Sequence, residues 1–171
     1  MGFKLMNDHI FEVDTTPTAE APIWARVAAG IKNVSPGTNE EVDQTAYLDA
    51  QVGFKESDVV GAQLVLTFTA DRKYDDDAQN YIFGLLLELG PNRRTKFRQK
   101  EPDGGIFEGP VTIANITPPG GDAGAKGECS FEVHFNGKPT YTPPALPEIP
   151  EEKEILGETE VLENDHDETR D

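Results

Sequence analysis

The chain has 171 residues, of which 36% are hydrophobic and 27% are charged, and its formal net charge is −17. This length and composition predict a soluble globular protein with a core of its own. The acidic balance argues against nucleic-acid binding, which relies on Lys and Arg to displace counterions from phosphate. Cys129 is the only cysteine, which excludes an internal disulfide framework and a cysteine-based zinc site.

Composition divides the chain into three parts. Residues 1–22 form a turn-rich N-terminal arm, residues 23–142 form a β-rich domain, and residues 143–171 combine prolines with an acidic run. This last segment buries too little apolar surface to offset its ordering entropy, so we predict that it is disordered. No apolar run is long enough to cross a bilayer and no signal peptide is recognisable near Met1, so we expect a protein kept in the cytosol.

Short strands and polar loops are predicted for the first part of the chain. Alternating apolar residues predict a strand at 9–13, inside the N-terminal arm, and further strands at 24–34 and 45–48. The polar stretches 35–44 and 49–58 are predicted to be loops.

The stretch from 59 to 91 changes from the period of a strand to the period of a helix. Its first half alternates with a repeat of two residues, as in a strand. In its second half apolar residues recur at i, i+3 and i+4, which predicts one helix at about 75–89. The apolar residues are Leu64, Leu66 and Phe68 for the strand, and Ala78, Tyr81, Ile82, Leu85, Leu86 and Leu89 for the helix.

Three aspartates precede the predicted helix and allow two readings. Asp75, Asp76 and Asp77 form a carboxylate cluster suited to Mg²⁺ or Ca²⁺, although the spaced EF-hand pattern is absent. Asp75 or Asp76 as a helix cap explains the cluster without a metal, because a carboxylate accepts from the free N–H groups at the positive end of the helix dipole. We favour the cap. Gly90 followed by Pro91 is the matching stop signal.

Further strands and a hairpin are predicted after the helix. Alternating patterns predict strands at 93–100, 106–116 and 127–136, with a Pro- and Gly-rich loop at 118–127. Asn136-Gly137 predicts a hairpin turn that returns the chain as a partner strand at 138–142. The strand at 127–136 has one core face and one polar face. The core face is Cys129, Phe131, Val133 and Phe135, and the polar face is Glu128, Ser130, Glu132 and His134.

The number and length of these elements define the fold class. Six to eight short strands with one helix predict a mainly β fold. We expect a β-sandwich or open β-barrel with the helix laid against one side.

No pattern in the sequence is typical of catalysis or of cofactor binding. His9, His134 and His166 have no ligand spacing between them. No glycine-rich phosphate loop follows a strand, and the lone cysteine has no plausible histidine partner. We therefore predict no catalytic, cofactor-binding or metal-binding residues, and a protein that is not an enzyme.

Four basic residues share one face of the strand predicted at 93–100. They fit nucleic-acid binding, pairing with an acidic surface on another copy of the chain, or a merely solvated strand face. The acidity of the whole chain argues against the first reading, and we favour the second. The four residues are Arg94, Lys96, Arg98 and Lys100.

Six segments between residues 24 and 142 are distinctive in combination. They are WARVAAGI at 24–31, YLDAQVGF at 47–54, RKYDDDAQNYIFGLLLELG at 72–90, GPVTIANI at 109–116, GGDA at 120–123 and VHFNGKPTYT at 133–142. Together and in this order, they resemble the major tail-tube proteins of long non-contractile-tailed bacteriophages, particularly siphophages of Gram-positive hosts. No single segment is a strict motif, and none is catalytic.

The resemblance implies a structural virion protein that self-assembles. In this family, homohexameric rings join their inner strands into one β-barrel, and the rings stack into the phage tail tube. The tube encloses the tape-measure protein and later conducts DNA during ejection without binding it specifically. The resemblance also implies contacts with tail terminator and distal tail proteins, and a place in the virion tail and, during assembly, in the host cytoplasm. It implies no cofactor and no membrane partner.

The tail-tube hypothesis assigns roles to two sets of residues. The polar face of the strand at 127–136 is expected to line the lumen. The loops 35–44 and 49–58 are expected to make ring-to-ring contacts, because long polar loops on a small sandwich need a function. The lumen candidates are Glu128, Ser130, Glu132 and His134, and the intersubunit candidates are Arg94, Lys96, Arg98, Lys100, Asn39, Glu40 and Glu41.

Two other classes of protein stay open at this point. A monomeric β-sandwich binding module, for carbohydrate or for a receptor, would display aromatic side chains on a face or loop. An enzyme with a metal site at 75–77 would be stabilised by its metal.

Overall fold

Strands dominate the computed structural model, which describes residues 2–47 and 54–145. The mainly β fold with one flanking helix, predicted from the sequence, is confirmed. The strands are β1 (Ile10–Asp14), β2 (Trp24–Arg26), β3 (Ile31–Gly37), β4 (Glu41–Thr45), β5 (Glu56–Gly61), β6 (Val65–Asp71), β7 (Arg94–Lys100), β8 (Ile106–Gly120), β9 (Glu128–Phe135) and β10 (Thr140–Thr142), and the helix is α1 (Asp77–Gly84).

Eight of these strands form one antiparallel sheet. Its order is β2-β1-β7-β8-β9-β6-β3, and β10 pairs with the first part of β8. Strands β4 and β5 pair with each other as a separate two-stranded sheet, called here the β4–β5 hairpin. Strand β1, which the sequence places in the N-terminal arm, lies between β2 and β7 inside the main sheet.

The apolar side chains on one face of the main sheet form the core. In β9, Cys129, Phe131, Val133 and Phe135 are buried and the residues between them are not, so the predicted alternation is confirmed. The rings of Phe68 and Phe131 stack with their centroids 4.9 Å apart. Other members of the core are Phe11, Val13, Val27, Leu66, Ala78, Ile82, Phe97, Val111 and Ile113.

Helix α1 begins after Asp76, whose carboxylate caps it. Asp76 Oδ1 accepts a hydrogen bond of 2.8 Å from Gln79 N, which confirms the cap reading of the three aspartates. Ala78 and Ile82 are buried against the sheet. In the described part of the chain, none of the helices is long and apolar enough to cross a membrane.

The helix ends at Gly84, and the predicted end at residue 89 is wrong. Leu85 still packs against the core just after the helix, but Leu89, the last residue of the predicted apolar stripe, is 79% exposed. Gly90 has a φ of +59° and begins a separate 3-10 turn at Gly90–Arg93, where it was predicted to end α1.

The side chain of Arg93 binds carbonyl groups in the non-helical segment that follows α1. Its Nε donates to the carbonyl oxygen of Glu88 at 2.6 Å, and its guanidinium also donates to that of Leu86 at 2.8 Å. These two carbonyls are therefore satisfied without helical partners. A hydrogen bond of this kind cannot be predicted from the spacing of apolar residues.

The single strand predicted at 24–34 is two strands, β2 and β3, with a turn at Gly30 between them. Gly30 has a φ of +73°, and a Cβ atom there would lie 2.4 Å from Asp71 O, so the position requires glycine. The buried side chain of Gln79 holds the turn in place. Its Nε2 donates to Ala29 O at 2.6 Å and to Asp71 O at 3.2 Å.

The prediction of a loop at 35–44 is wrong, because most of these residues belong to strands. Strand β3 continues to Gly37 and β4 begins at Glu41. Strands β4 and β5 are exposed over nearly all of their residues. A strand without a buried face has no apolar alternation, so the periodicity does not reveal it.

The loop predicted at 49–58 is only partly testable. Residues 49–53 lie outside the described residues, and residues 56–58 belong to β5, which contradicts a loop there. Of the strand predicted at 45–48, Thr45 is the last residue of β4. Residues 146–171, most of the tail predicted to be disordered, also lie outside the described part.

Two predictions near the C terminus of the domain are also wrong. Strand β8 continues to Gly120, so the loop predicted at 118–127 starts too early. Strand β10 pairs with β8 and not with β9, although a hairpin with β9 was predicted. Asn136 N donates to Pro110 O at 2.9 Å, which directs the chain towards β8. Because β9 pairs with β8 only from Val111 onwards, the first part of β8 is free to accept β10.

Candidate functional site

The predicted lumen residues of β9 belong to a larger polar surface. Direct cross-strand neighbours lie on the same face of a sheet, so the register extends the set across β3, β6 and β8. We call this surface the polar face. It consists of Lys32, Asn33 and Ser35 of β3, Thr67, Thr69 and Asp71 of β6, Thr112, Ala114 and Thr117 of β8, and Glu128, Ser130, Glu132 and His134 of β9.

Lys32 is the only Lys or Arg in the four strands of the polar face, and two carboxylates surround it. Its Nζ lies 3.0 Å from Asp71 Oδ1 and also contacts Glu128 Oε2. Hydrogen bonds with Glu128 and then with Asp71 raise the pKa of Lys32. The cation is therefore held by two anions of its own subunit and does not present a free positive charge.

Glu132 and His134 form a second polar cluster on this face. His134 Nε2 lies 2.7 Å from Glu132 Oε2, and Asn115 Nδ2 donates to the same oxygen at 2.7 Å. The hydrogen bond with His134, followed by that with Asn115, lowers the pKa of Glu132. Asn115 has a φ of +46° at a bulge in β8, which aims its side chain at β9.

The structure separates the four basic residues of β7 into two pairs. Arg98 Nε binds Glu12 Oε2 of β1, and Lys100 Nζ lies 3.1 Å from the same oxygen. Burial raises the pKa of Glu12, but the hydrogen bonds with Arg98 and Lys100 outweigh it and the net pKa is lowered. The Arg98 guanidinium also lies 4.2 Å from the ring centroid of Trp24. These two cations thus have partners inside the subunit.

Arg94 and Lys96 differ from the other two basic residues of β7. Both are exposed. Within residues 2–47 and 54–145, neither forms an ion pair with a carboxylate. Their direct neighbours on β8 are Thr112 and Pro110, which carry no charge. We call these two residues the basic pair.

The β4–β5 hairpin leaves the main sheet between β3 and β6. Gln63 N donates to Thr38 O at 2.8 Å and closes the base of the hairpin. The predicted intersubunit residues Asn39, Glu40 and Glu41 follow directly and are exposed, and Asn39 has a φ of +42°. The structure therefore places them at the root of a projecting hairpin.

The two faces of the hairpin have different chemistry. Val42 and Val59 are direct cross-strand neighbours, and they are 48% and 61% exposed. On the opposite face Asp43 lies directly across from Asp58. By alternation along each strand, Glu41, Asp43, Glu56 and Asp58 share this face, which we call the acidic face of the hairpin; Thr45 and the exposed Val60, at a shift in the register, complete it.

The other candidate sites give little support for a metal-binding or ligand-binding function. No three His, Cys, Asp or Glu side chains converge as a metal site within the two described ranges of the chain. A cleft of about 400 Å³ lies beside β3, lined by residues that include His9, Phe11 and Ile31. Of the aromatic side chains that a carbohydrate or receptor module would display, Tyr47, Phe54 and Tyr74 are exposed, whereas the Trp24 ring lies against Arg98.

Sequence reasoning missed several residues of the polar face. Asp71 continues the alternation of Thr67 and Thr69, so the strand pattern contained that signal. The sequence contains no comparable signal for Lys32, because its partner Glu128 is 96 residues away in the chain.

No family model and no curated protein sequence matches the chain. Solved structures do match it. A chain of the tail of an empty gene transfer agent particle, determined by helical refinement with C6 symmetry, has a TM-score of 0.68 and 18% identity. The match covers 82% of this protein and 100% of that chain.

Two further structures come from injection systems. A sheath/tube terminator chain of an extracellular contractile injection system has a TM-score of 0.55 and 12% identity, with 84% and 99% of the two chains covered. A tube-terminating cap chain of the anti-feeding prophage has a TM-score of 0.53 and 10% identity, with 83% and 92% covered. The protein thus has the fold found in a gene transfer agent tail and in tube-terminating proteins of contractile injection systems.

Proposed function

We propose that the protein is a structural subunit that self-assembles into the tail tube of a phage-like particle. The observation that carries the proposal is the likeness to a gene transfer agent tail chain, which is matched over its whole length and comes from a C6-symmetric assembly. Six copies of this protein would close a ring, and rings would stack into a tube. The protein works by assembly and not as an enzyme, and it needs no cofactor.

The open edge of β3 supports ring closure. β3 pairs with β6 on one side, and it is the last strand of the main sheet as described. An open edge presents unpaired N–H and C=O groups, which a strand from a neighbouring copy would satisfy. Identical head-to-tail contacts that close under rotation produce a ring.

The polar face suits the wall of a DNA conduit. Duplex DNA carries one negative charge per roughly 1.7 Å, and proteins bind it when their cations release its counterions. Lys32 is the only Lys or Arg in these strands, and Asp71 and Glu128 neutralise it. With Glu128, Ser130, Glu132 and His134 towards the lumen, this part of the wall would let DNA pass without holding it. Arg94 is the direct neighbour of Thr112, so Arg94 and Lys96 lie on the same side of the sheet, and a contact with another copy would have to cover them.

The β4–β5 hairpin suits the contact between rings. A two-stranded hairpin is marginally stable by itself in water, so it gains stability when it is covered. Val42 and Val59 expose an apolar pair that a neighbouring ring would bury. The intersubunit residues Asn39, Glu40 and Glu41 at its root would belong to the same contact.

The remaining roles follow from the tube itself. We place the protein in the tail of a siphophage-like virion of a Gram-positive host, and in the host cytoplasm during assembly. Its tube would enclose a tape-measure protein and end at tail terminator and distal tail proteins. No step requires a membrane.

Excision of the hairpin tests this proposal. Because Thr38 and Gln63 are hydrogen-bonded at its base, replacing residues 39–62 with Asn-Gly leaves a two-residue turn between β3 and β6. The excised variant should keep the circular dichroism spectrum and thermal midpoint of the wild type. In concentrated solution, wild-type protein should sediment as tubes and the excised variant as single rings or monomers.

The two possible failures have different meanings. Tubes of normal length from the excised variant would contradict the stacking role of the hairpin. Wild-type protein that stays monomeric at every concentration in the same sedimentation series would contradict the tube function.

A further inference from the structure

The β4–β5 hairpin is an unpartnered sheet whose acidic face is unfavourable in isolation. Asp43 and Asp58 lie directly opposite each other. Like charges at directly opposed positions destabilise a sheet. Neither β4 nor β5 contains a Lys or Arg, and Lys55, just before β5, forms no ion pair within the described ranges. The face therefore gains from contact with cations that the hairpin itself does not supply.

The basic pair on β7 has the complementary composition. Arg94 and Lys96 are exposed on one face of β7 without a carboxylate partner in the described structure. The other two basic residues of that strand are already bound to Glu12. Arg94 and Lys96 are therefore the cations on this strand that remain available to another surface.

The spacing of the charged residues on the basic pair also matches the spacing on the acidic face of the hairpin. Residues two apart in a strand are separated by about 7 Å, because each residue advances the chain by about 3.3 Å. Arg94 and Lys96 have this separation on β7. Glu41 and Asp43 have it on β4, and Glu56 and Asp58 have it on β5, so the pair of cations and each row of carboxylates have the same spacing.

The hairpin does not reach the basic pair of its own subunit in this structure. The hairpin root lies in the cross-strand row that runs from Gly37 through Val65, His134 and Thr112 to Arg94. Four strand spacings separate the two ends of this row, or about 19 Å along the sheet. Strands β4 and β5 pair only with each other in the described sheets.

We propose that the acidic face of the hairpin binds the basic pair, Arg94 and Lys96, of a second copy of this chain. The proposal rests on the proposed assembly function and names the chemistry of one of its contacts. Opposed potentials of this kind set the register between copies and exclude wrong alignments. The contact is exposed, so added salt weakens it.

A charge-swap experiment tests the pairing with the full chain. The first variant is Arg94→Glu with Lys96→Glu, the second is Asp43→Lys with Asp58→Lys, and the third combines all four changes. Each two-residue swap should lower the pelletable tube mass at least about tenfold, because like charges then face each other. The third variant should recover tubes, since the charges are again complementary. Lys126→Glu with Lys138→Glu alters net charge as the first variant does and should assemble normally.

Zero-length carbodiimide cross-linking gives a second readout. In an equal mixture of ¹⁴N- and ¹⁵N-labelled protein, Lys96 should link to Asp43 or Asp58 between the two isotopic populations. Links only within one population would overturn the proposal, because the contact would then be intramolecular.

The assembly results separate this proposal from the function on which it rests. Wild-type tubes, together with unaffected two-residue swaps, would overturn the charge pairing alone. A four-residue variant that stays unassembled like its parents would do the same. Absence of any association in the wild type would count against the tube function itself.

Discussion

Phe11 on β1 and Phe68 on β6 pack edge to face with their ring centroids 5.4 Å apart, although three strands separate β1 from β6 in the sheet. The contact requires the sheet to roll until its two ends face each other. Phe97 of β7 packs beside both rings, 6.4 Å from Phe11 and 6.0 Å from Phe68. The rolled sheet and α1 together enclose the core.

Removal of the Phe68 ring should therefore destabilise the whole fold. Phe68→Ala deletes a fully buried ring that contacts both ends of the sheet. We expect the free energy of unfolding, measured by urea denaturation, to fall by about 3 to 5 kcal/mol. Phe3→Ala is the matched control, because Phe3 is fully exposed and its loss should change stability little. Equal effects of the two changes would contradict the rolled core.

The Asp76 cap predicts a graded response of the three aspartates. Asp76→Ala should lower the free energy of unfolding by about 1 kcal/mol, because Gln79 N loses its acceptor. Asp75→Ala should have a smaller effect, since its 76% exposed side chain makes only a 3.9 Å ion pair with Lys73. Thermal unfolding of both variants, with and without Mg²⁺, checks this. A midpoint that Mg²⁺ raises in the wild type but not in Asp76→Ala would restore the metal reading.

Glu12 should make stability depend on pH. Its pKa is lowered in the folded state from an ordinary value of 4.5, so its contribution is present above that value. The contribution is lost as the pH falls below 4.5 through the lowered pKa. Glu12→Gln should therefore be less stable than the wild type at about pH 7, and the difference should shrink towards about pH 3.

Urea denaturation across that pH range measures this difference. Glu20→Gln, at an exposed position, is the matched control and should follow the wild type throughout. A constant gap between Glu12→Gln and the wild type at every pH would show that the carboxylate of Glu12 does not act through its ionisation.

A cysteine placed on the polar face should report the lumen. Ser130→Cys in assembled tubes should react with a small maleimide but hardly with a bulky polyethylene glycol maleimide. Disassembled subunits should react with both. The native thiol gives little background, because Cys129 is buried and burial raises its pKa.

The control for this experiment lies across the core from the polar face. Phe83 of α1 packs against the core side of Phe131, which places α1 opposite Ser130. Asp77→Cys, at an exposed position of α1, should react with the bulky reagent in tubes as well. Equal labelling of the two positions would place β9 outside the lumen.

Local patterns in the sequence predicted the elements that depend on nearby residues. The alternation of β9 and the cap at Asp76 were correct, because burial on one face and a single side-chain bond determine them. The end of α1 at Gly84 was not predicted, because the helical spacing of apolar residues continues past it, and the segment beyond is held by a bond from the Arg93 side chain. The spacing of the leucines gives no information about that bond.

Features that depend on contacts between residues far apart in the chain could not be predicted from the sequence. The partner of β10 is decided by which part of β8 is left free by β9. The β4–β5 hairpin was predicted as loops, because its residues are exposed on both faces and show no apolar period. The predicted site residues of β9 share one face as expected. Lys32, the cation that pairs with Glu128, and Asn115, which donates a hydrogen bond to Glu132, emerged only from the fold.

Negative-stain electron microscopy of the concentrated wild-type protein tests the central claim most directly. The account predicts hollow rings with six-fold symmetry, or tubes built from them. Particles the size of a single subunit at every concentration, with no rings or tubes, would contradict it.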